Sequence, residues 1–170
     1  VIEACKLYPP KYTDFFIALG YSKVNEVRKE KYEYLKKRGY KLASFISPDA
    51  NLLHDNKIGE NVFLLEDNTI QPFVTIGNNV TLWSGNHIGH HSHISDHCFI
   101  SSQVVISGRV EVGEQCFIGV NSSIRDHLLI GSKSVIGAGS LILSDVKPNS
   151  VYRGNETKPS AISSTRLNRI

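Results

Sequence analysis

Five histidines, His87, His90, His91, His93 and His97, fall within eleven residues of a 170-residue chain that has only two others, His54 and His127. Imidazole is the side chain best suited to proton transfer near neutral pH, and it is also the commonest metal ligand. Which of these the cluster serves depends on what stands beside each ring, and therefore on the element that carries it. The other candidates for reactive chemistry are Cys5, Cys98 and Cys116. With no secretory signal, three thiols fit a reducing cytoplasm better than a disulfide framework.

The element is legible from a period. An aliphatic residue recurs at every sixth position from Ile58 to Ile142, through Leu64, Ile70, Ile76, Leu82, Ile88, Ile94, Ile100, Ile106, Val112, Ile118, Ile124, Ile130 and Ile136. Helices repeat a buried face about every 3.6 residues and strands every 2, so a strict six means three strand steps per side of something that closes on itself. A triangular parallel β-helix has that property. The residue four after each aliphatic is mostly small or aliphatic, as at Val62, Val74, Ser92, Cys98, Val104, Cys116 and Ser134, and is expected to fill the corners. Glycine directly follows the aliphatic at Gly59, Gly77, Gly89, Gly113, Gly119, Gly131 and Gly137, where a turning chain is expected to need a conformation that a Cβ disfavours. Three repeats make an 18-residue coil, so residues 58–147 are expected to form about five coils. Residues 18 apart then stack at roughly the inter-strand spacing of about 4.7–4.9 Å.

That stacking sorts the histidines. His90 lies under Gly108, His91 under Arg109 and then His127, His93 under Glu111, and His97 under Gln115. No histidine stacks directly on another, and a zinc site needs three or four ligands converging at about 2.0–2.3 Å, so no metal site is expected within one subunit. Some of the histidines read as surface residues of a solenoid face. His90 stands apart, because glycine above it leaves a backbone N–H open to a ligand. A base beside an exposed N–H is the pairing that acyl transfer requires, one taking a proton from the nucleophile and the other binding the oxyanion. Cys98 and Cys116 also stack, and the reading favoured there is packing at an inward corner rather than a metal or redox pair.

Outside the repeat, Phe15 to Gly20 reads as a buried strand, Asn25 to Arg38 as a helix stopped by Gly39, and Tyr40 to Ile46 as a second strand. Strand, helix, strand is a βαβ unit. Residues 1–48 are thus expected to be part of a small α/β domain, 49–147 the β-helix and 148–170 a polar tail forming a strap and a short helix, with Arg153, Lys158, Arg166 and Arg169. The chain opens on Val1 and contains no methionine, so a longer protein with a preceding strand and loop is expected. A formal charge of +3 is small and dispersed, and no stretch approaches the roughly 20 apolar residues of a membrane span. Neither nucleic acid nor membrane is an expected partner.

With these residues in place, the sequence resembles the left-handed β-helix acyltransferases of the hexapeptide-repeat superfamily, and more closely the sugar acetyltransferases of the bacillosamine and sialic acid acetyltransferase group. The resemblance implies a mainly β fold, a left-handed parallel β-helix of about five coils preceded by a partial α/β domain that holds a nucleotide-sugar. It implies a cytoplasmic homotrimer that moves an acetyl group from acetyl-CoA to an amino or hydroxyl group of a nucleotide-linked sugar, in the biosynthesis of lipopolysaccharide or another surface glycan. The family's catalytic histidine lies in an Ile-x-His-acidic step, matched by Ile88-Gly89-His90 and departed from at His91. The resemblance makes His90 the general base, leaves its orienting partner open between Asp96 and Glu111, and makes Gly108 the donor facing the thioester carbonyl. Coenzyme A contacts are implied at Gly119-Val120-Asn121-Ser122 and Gly137-Ala138-Gly139, hence Val120 and Ala138, and at Phe99, which reads equally as a packed aromatic. The family's Gly-x-Pro-Ala tail signature is replaced by Gly154-Asn155-Glu156-Thr157-Lys158-Pro159-Ser160, and Lys147, Arg153 and Lys158 are candidates for the phosphates or plain solvated cations. Two rivals are a trimeric β-helix carbonic anhydrase with zinc shared between subunits and a non-catalytic ice-binding solenoid. The second would need a flat threonine ladder, whereas the column at His90 reads Pro72, His90, Gly108 and Asp126.

Overall fold

A computed structural model describes residues 1–154 and 156–166. Eighteen two-residue strands wind through three parallel sheets of seven, six and five strands, giving about six turns of a mainly β, parallel β-helix. We call the sheets the first face (from Phe45–Ile46 to Val151–Tyr152), the second face (from Asn51–Leu52 to Leu141–Ile142) and the third face (from Lys57–Ile58 to Leu129–Ile130). Register follows the 18-residue rule, with His87 opposite Val105, His93 opposite Glu111 and Phe99 opposite Phe117. The aliphatic residues point inward and are almost all fully buried, from Leu64 through Ile136, as are the residues four positions later. Each such side chain removed from water contributes about 1.5–3 kcal/mol, which is what holds strands only two residues long in one closed shape.

Two expectations are corrected. The solenoid has about six coils rather than five, because Phe45–Ile46 is its first rung and not the end of an α/β strand: Phe45 pairs with Phe63 and Ile46 with Leu64. Ile46 and Leu52 in fact extend the six-residue series back from Ile58. The glycines that follow the aliphatics are not there for a left-handed backbone, since positive φ falls two residues further on, at Asn61, Asp67, Asn79, His91, His97, Arg109 and their equivalents. They are there because the coils approach closely: a Cβ on Gly89 would sit 2.5 Å from the Gly108 nitrogen, and one on Gly119 2.6 Å from the Ala138 nitrogen.

Before the solenoid lie a short helix α1 (Ile2–Leu7), which the sequence reading did not anticipate, a strand β1 (Asp14–Phe15), a helix α2 (Glu26–Lys36) and a strand β2 (Lys41–Leu42) parallel to β1. β1 is shorter than the Phe15–Gly20 strand expected. Glu26 in the first turn of α2 and Lys36 in the last suit the helix dipole, and Gly39 at φ 79° ends the excursion. Arg28, Tyr32 and Leu35, at helical spacing, bury one face of α2.

That face docks on a polar column of the solenoid, Asn61, Asn79, His97 and Gln115, each buried and 18 residues from the next. Arg28 Nε donates to Asn79 Oδ1 (2.7 Å), Nη1 to the Leu19 carbonyl (3.0 Å) and Nη2 to the Asn61 carbonyl (3.1 Å). Asn79 Nδ2 lies 2.8 Å from His97 Nδ1, and Gln115 Nε2 donates to Glu26. Burial lowers the Arg28 pKa to about 10 and pushes the His97 imidazole below its ordinary value, the latter opposed by Asp96. His97 is therefore a neutral structural member of this column, not a surface residue. In the tail, Val151–Tyr152 extends the first face beside Val135–Ile136, and Ser164–Arg166 forms a 3₁₀ turn. Asn155 and Arg169 lie outside the described residues.

Candidate active site

His90 and His91 occupy the turn that joins His87–Ile88 of the second face to His93–Ile94 of the third. Turns at solenoid corners need one left-handed residue, and His91 supplies it at φ 58°. Both imidazoles are exposed at the corner, while the backbone under them is fixed. The His90 N–H donates to Gln71 Oε1 (2.8 Å), the His91 N–H to the Pro72 carbonyl (3.1 Å), and the His90 carbonyl accepts from the Arg109 N–H (2.9 Å).

Gly108 stands where the stacking rule puts it. A Cβ there would lie 2.8 Å from Cε1 and Nε2 of His90 and 3.2 Å from Nδ1, so the ring fills the space that the glycine leaves. The Gly108 carbonyl accepts from the His127 N–H (3.0 Å), whereas its own N–H donates to no acceptor among the described residues. A basic nitrogen and an unbonded amide thus share one corner, able to handle a proton and a developing negative charge together.

The carboxylates proposed to orient His90 are elsewhere. Asp96 Oδ1 accepts from the Asn78 N–H (2.7 Å) at the next corner, and Glu111 stands on the third face opposite His93, in a cleft with Arg109, His127 and Asp145. The nearest ring partner of His90 is His91, with Nδ1 to Nδ1 at 3.1 Å. Sequence reasoning passed over both His91 and Gln71. Gln71 had a visible signal, since it precedes the His90 column residue Pro72 by one position and sits one coil below Gly89. The signal for His91 was its replacement of the expected acid.

Val120 and Ala138 are exposed and stacked at the corner where the first face turns into the second, with the Val120 carbonyl accepting from the Gly139 N–H (2.8 Å). They and the pair of His90 with Gly108 therefore flank the same face, the second. Arg153 lines a cleft of about 170 Å³ with Gly139, Ser140, Leu141 and Tyr152, next to that corner. Lys147 and Lys158 do not line it. Phe99 is on the first face instead, 5% exposed, stacked on Phe117 (5.7 Å between centroids) and edge-on to Tyr21 (4.9 Å). It borders a cavity of about 190 Å³ beside Leu19, Tyr21, Arg28 and Trp83, so the structure does not bring it to His90. The rest of the histidines separate: His54, His93 and His127 are exposed, and His127 Nδ1 bonds Asp126 (2.7 Å), which holds that carboxyl below its ordinary range. Among the described residues no three His, Cys, Asp or Glu side chains converge as metal ligands. Cys98 and Cys116 are buried and bond the Gly113 and Gly131 carbonyls (3.1 and 3.3 Å), with the Cys98 thiol pushed up by burial. No helix among the described residues is long and apolar enough to cross a membrane.

Residues 57–90 and 73–108 match the bacterial transferase hexapeptide (six repeats) family, and residues 109–144 match the hexapeptide repeat of succinyl-transferase, so that together the matches span just over half of the chain. Among solved structures, the acetyltransferase domain of PglB from Neisseria gonorrhoeae FA1090 is similar over 90% of this chain and 73% of its own, at 25% identity and a TM-score of 0.81. A mutant of perosamine N-acetyltransferase from Caulobacter crescentus, in complex with CoA and GDP-perosamine, is similar over 82% of this chain, at 23% identity and a TM-score of 0.78. The chain spans 65% of that protein's length. WeeI from Acinetobacter baumannii AYE is similar over 85% of this chain and 69% of its own, at 19% identity and a TM-score of 0.62.

Proposed function

The chain belongs to the hexapeptide-repeat transferases, and on that premise we propose that it transfers an acetyl group from acetyl-CoA to an amino group of a nucleotide-linked sugar. The observation that carries the reading is the His90 ring seated in the space left by Gly108, beside an amide N–H with no acceptor among the described residues. The sugar amine, in its neutral form, attacks the thioester carbonyl carbon. His90 Nε2 takes the proton that the nitrogen sheds as the new C–N bond forms. The carbonyl oxygen becomes an oxyanion and receives the Gly108 N–H. Collapse of that intermediate breaks the C–S bond, and His90 returns the proton to the departing sulfur, so that amide and free thiol leave and the enzyme is unchanged. General base catalysis of this kind supplies about 10²–10⁴-fold, and one oxyanion donor about 10²–10³-fold.

Coenzyme A would run along the second face, its pantetheine arm against Val120 and Ala138 and its phosphates near Arg153. A solenoid presents flat sheet faces that favour burial against copies of itself, and a closed cyclic trimer with the donor bound between neighbours fits this chain. The free cysteines suit the reducing cytoplasm, and the products suit surface-glycan assembly. The similarity to a protein crystallised with CoA and GDP-perosamine supports the acceptor class. The test is thiol release from acetyl-CoA against a panel of nucleotide-linked amino sugars and their hydroxyl counterparts. Turnover with an amino sugar and none with its hydroxyl analogue is the expected result; no thiol release with any sugar, from protein that binds acetyl-CoA, would overturn it.

A further inference from the structure

If Nε2 of His90 is to accept a proton, the ring's own proton must be held on Nδ1, and no carboxylate among the described residues bonds that atom. What faces it is Nδ1 of His91, 3.1 Å away, with the rings edge to face at 87° and centroids 5.3 Å apart. Two imidazole nitrogens at that separation can share one proton but not two, and with none between them their lone pairs would repel. We propose that His91 is the positioning residue of the site, its neutral Nδ1 accepting the Nδ1–H of His90 and so exposing the His90 Nε2 lone pair toward the substrate. This rests on His90 being the base.

His91 is itself braced for that role. Its backbone is pinned by the bond to the Pro72 carbonyl, and its ring lies on Phe73 at 4.8 Å with 35° between planes. Phe73 is the residue one coil below in the same left-handed column, at φ 64°. The stack fixes the plane of His91, and that plane fixes the ring to which it is bonded. A neutral acceptor differs from a carboxylate in one respect: when protonated it becomes a donor, and the bond to His90 is lost. The charged and titratable groups around the pair are Arg109 directly above His91, Asp126 and His127 a further coil on and paired with each other, and His93 and Glu111 on the third face, with Gln71 the neutral contact below.

The experiment is ring-nitrogen NMR of the intact protein, with kinetics on the same samples. His91→Phe keeps the stack on Phe73 and the left-handed backbone that Phe73 itself tolerates, but has no acceptor; His91→Asp restores a carboxylate. In the wild type above the histidine titration range, His90 should carry its proton on Nδ1, and in His91→Phe that preference should pass to Nε2. kcat should fall at least about tenfold with KM for acetyl-CoA little changed, as expected when a base is left in the wrong tautomer. His91→Asp should recover both the tautomer and kcat. A wild-type His90 protonated on Nε2, or a His91→Phe enzyme with unaltered kcat, overturns the proposal. Loss of the base assignment would look different: a His90→Ala enzyme that still turns over, with the tautomer of His90 in the wild type as proposed.

Discussion

Gly108→Ala isolates the geometry of the site from its stability. The substitution adds one methyl group, keeps the backbone N–H, and involves no left-handed backbone, since Gly108 is not among the residues with positive φ. The new Cβ would fall 2.8 Å from Cε1 and Nε2 of His90, and ordinary carbon contacts begin at about 3.5 Å, so the ring must withdraw by roughly 0.7 Å or more. His90 is exposed and can swing outward, so relief is cheap for the fold and expensive for catalysis. Misplacement of a reacting group by about 1 Å can reduce the rate about 10²-fold, so kcat should drop by one to two orders of magnitude. Thermal unfolding should be nearly unchanged, with any small gain arising from the restricted unfolded chain. Steady-state thiol release and a melting curve on one preparation decide the matter. If Gly108→Ala retains wild-type kcat while its melting temperature is unaltered, the ring of His90 is not where the reaction takes place.

Three other perturbations test neighbouring parts of the account. Gly89→Ala is the counterpart, because its Cβ meets backbone at the Gly108 nitrogen and no side chain can swing clear; it should destabilise by about 1–3 kcal/mol, seen in chemical denaturation, and lower activity together with stability. Arg28→Met should strip three hydrogen bonds from the buried junction between α2 and the polar column, lowering stability by about 3 kcal/mol and exposing the segment 14–42 to limited proteolysis while the solenoid persists. His97 titrates below its ordinary value of 6.5 in the folded chain, so the unfolded state binds the proton more readily, and stability should be full above about pH 6.5 and fall as pH drops toward the lower folded value. Melting curves from pH 8 to pH 5 should show that loss, and His97→Asn, which repeats the residue found at positions 61 and 79 of the same column, should flatten it.

The solenoid was readable in advance because its period is enforced at every rung: an inward residue with no room for a charge recurs each sixth position, and a stacking distance of 18 follows from closure. The first coil escaped the reading although Ile46 and Leu52 keep the period, since the polar segment from Ser47 to Asn51 and the absence of following glycines made it look like a linker. The glycines were correctly singled out and wrongly explained, because a clash with the next coil's backbone leaves the same mark in a sequence as a left-handed turn. At the site, the 18-residue stacking joined His90 to Gly108, two residues with no local signal of each other. It could not foresee the roles of His91 and His97. The first depends on a ring plane set by Phe73, and the second on a helix, α2, that arrives from outside the repeat.

His90→Ala is the most direct measurement of the central claim. The residue is exposed, so the variant should fold and bind acetyl-CoA like the wild type, and its amino-sugar-dependent thiol release should fall by about 10²–10⁴-fold. Near-normal turnover by that variant would contradict the assignment of His90 as the base.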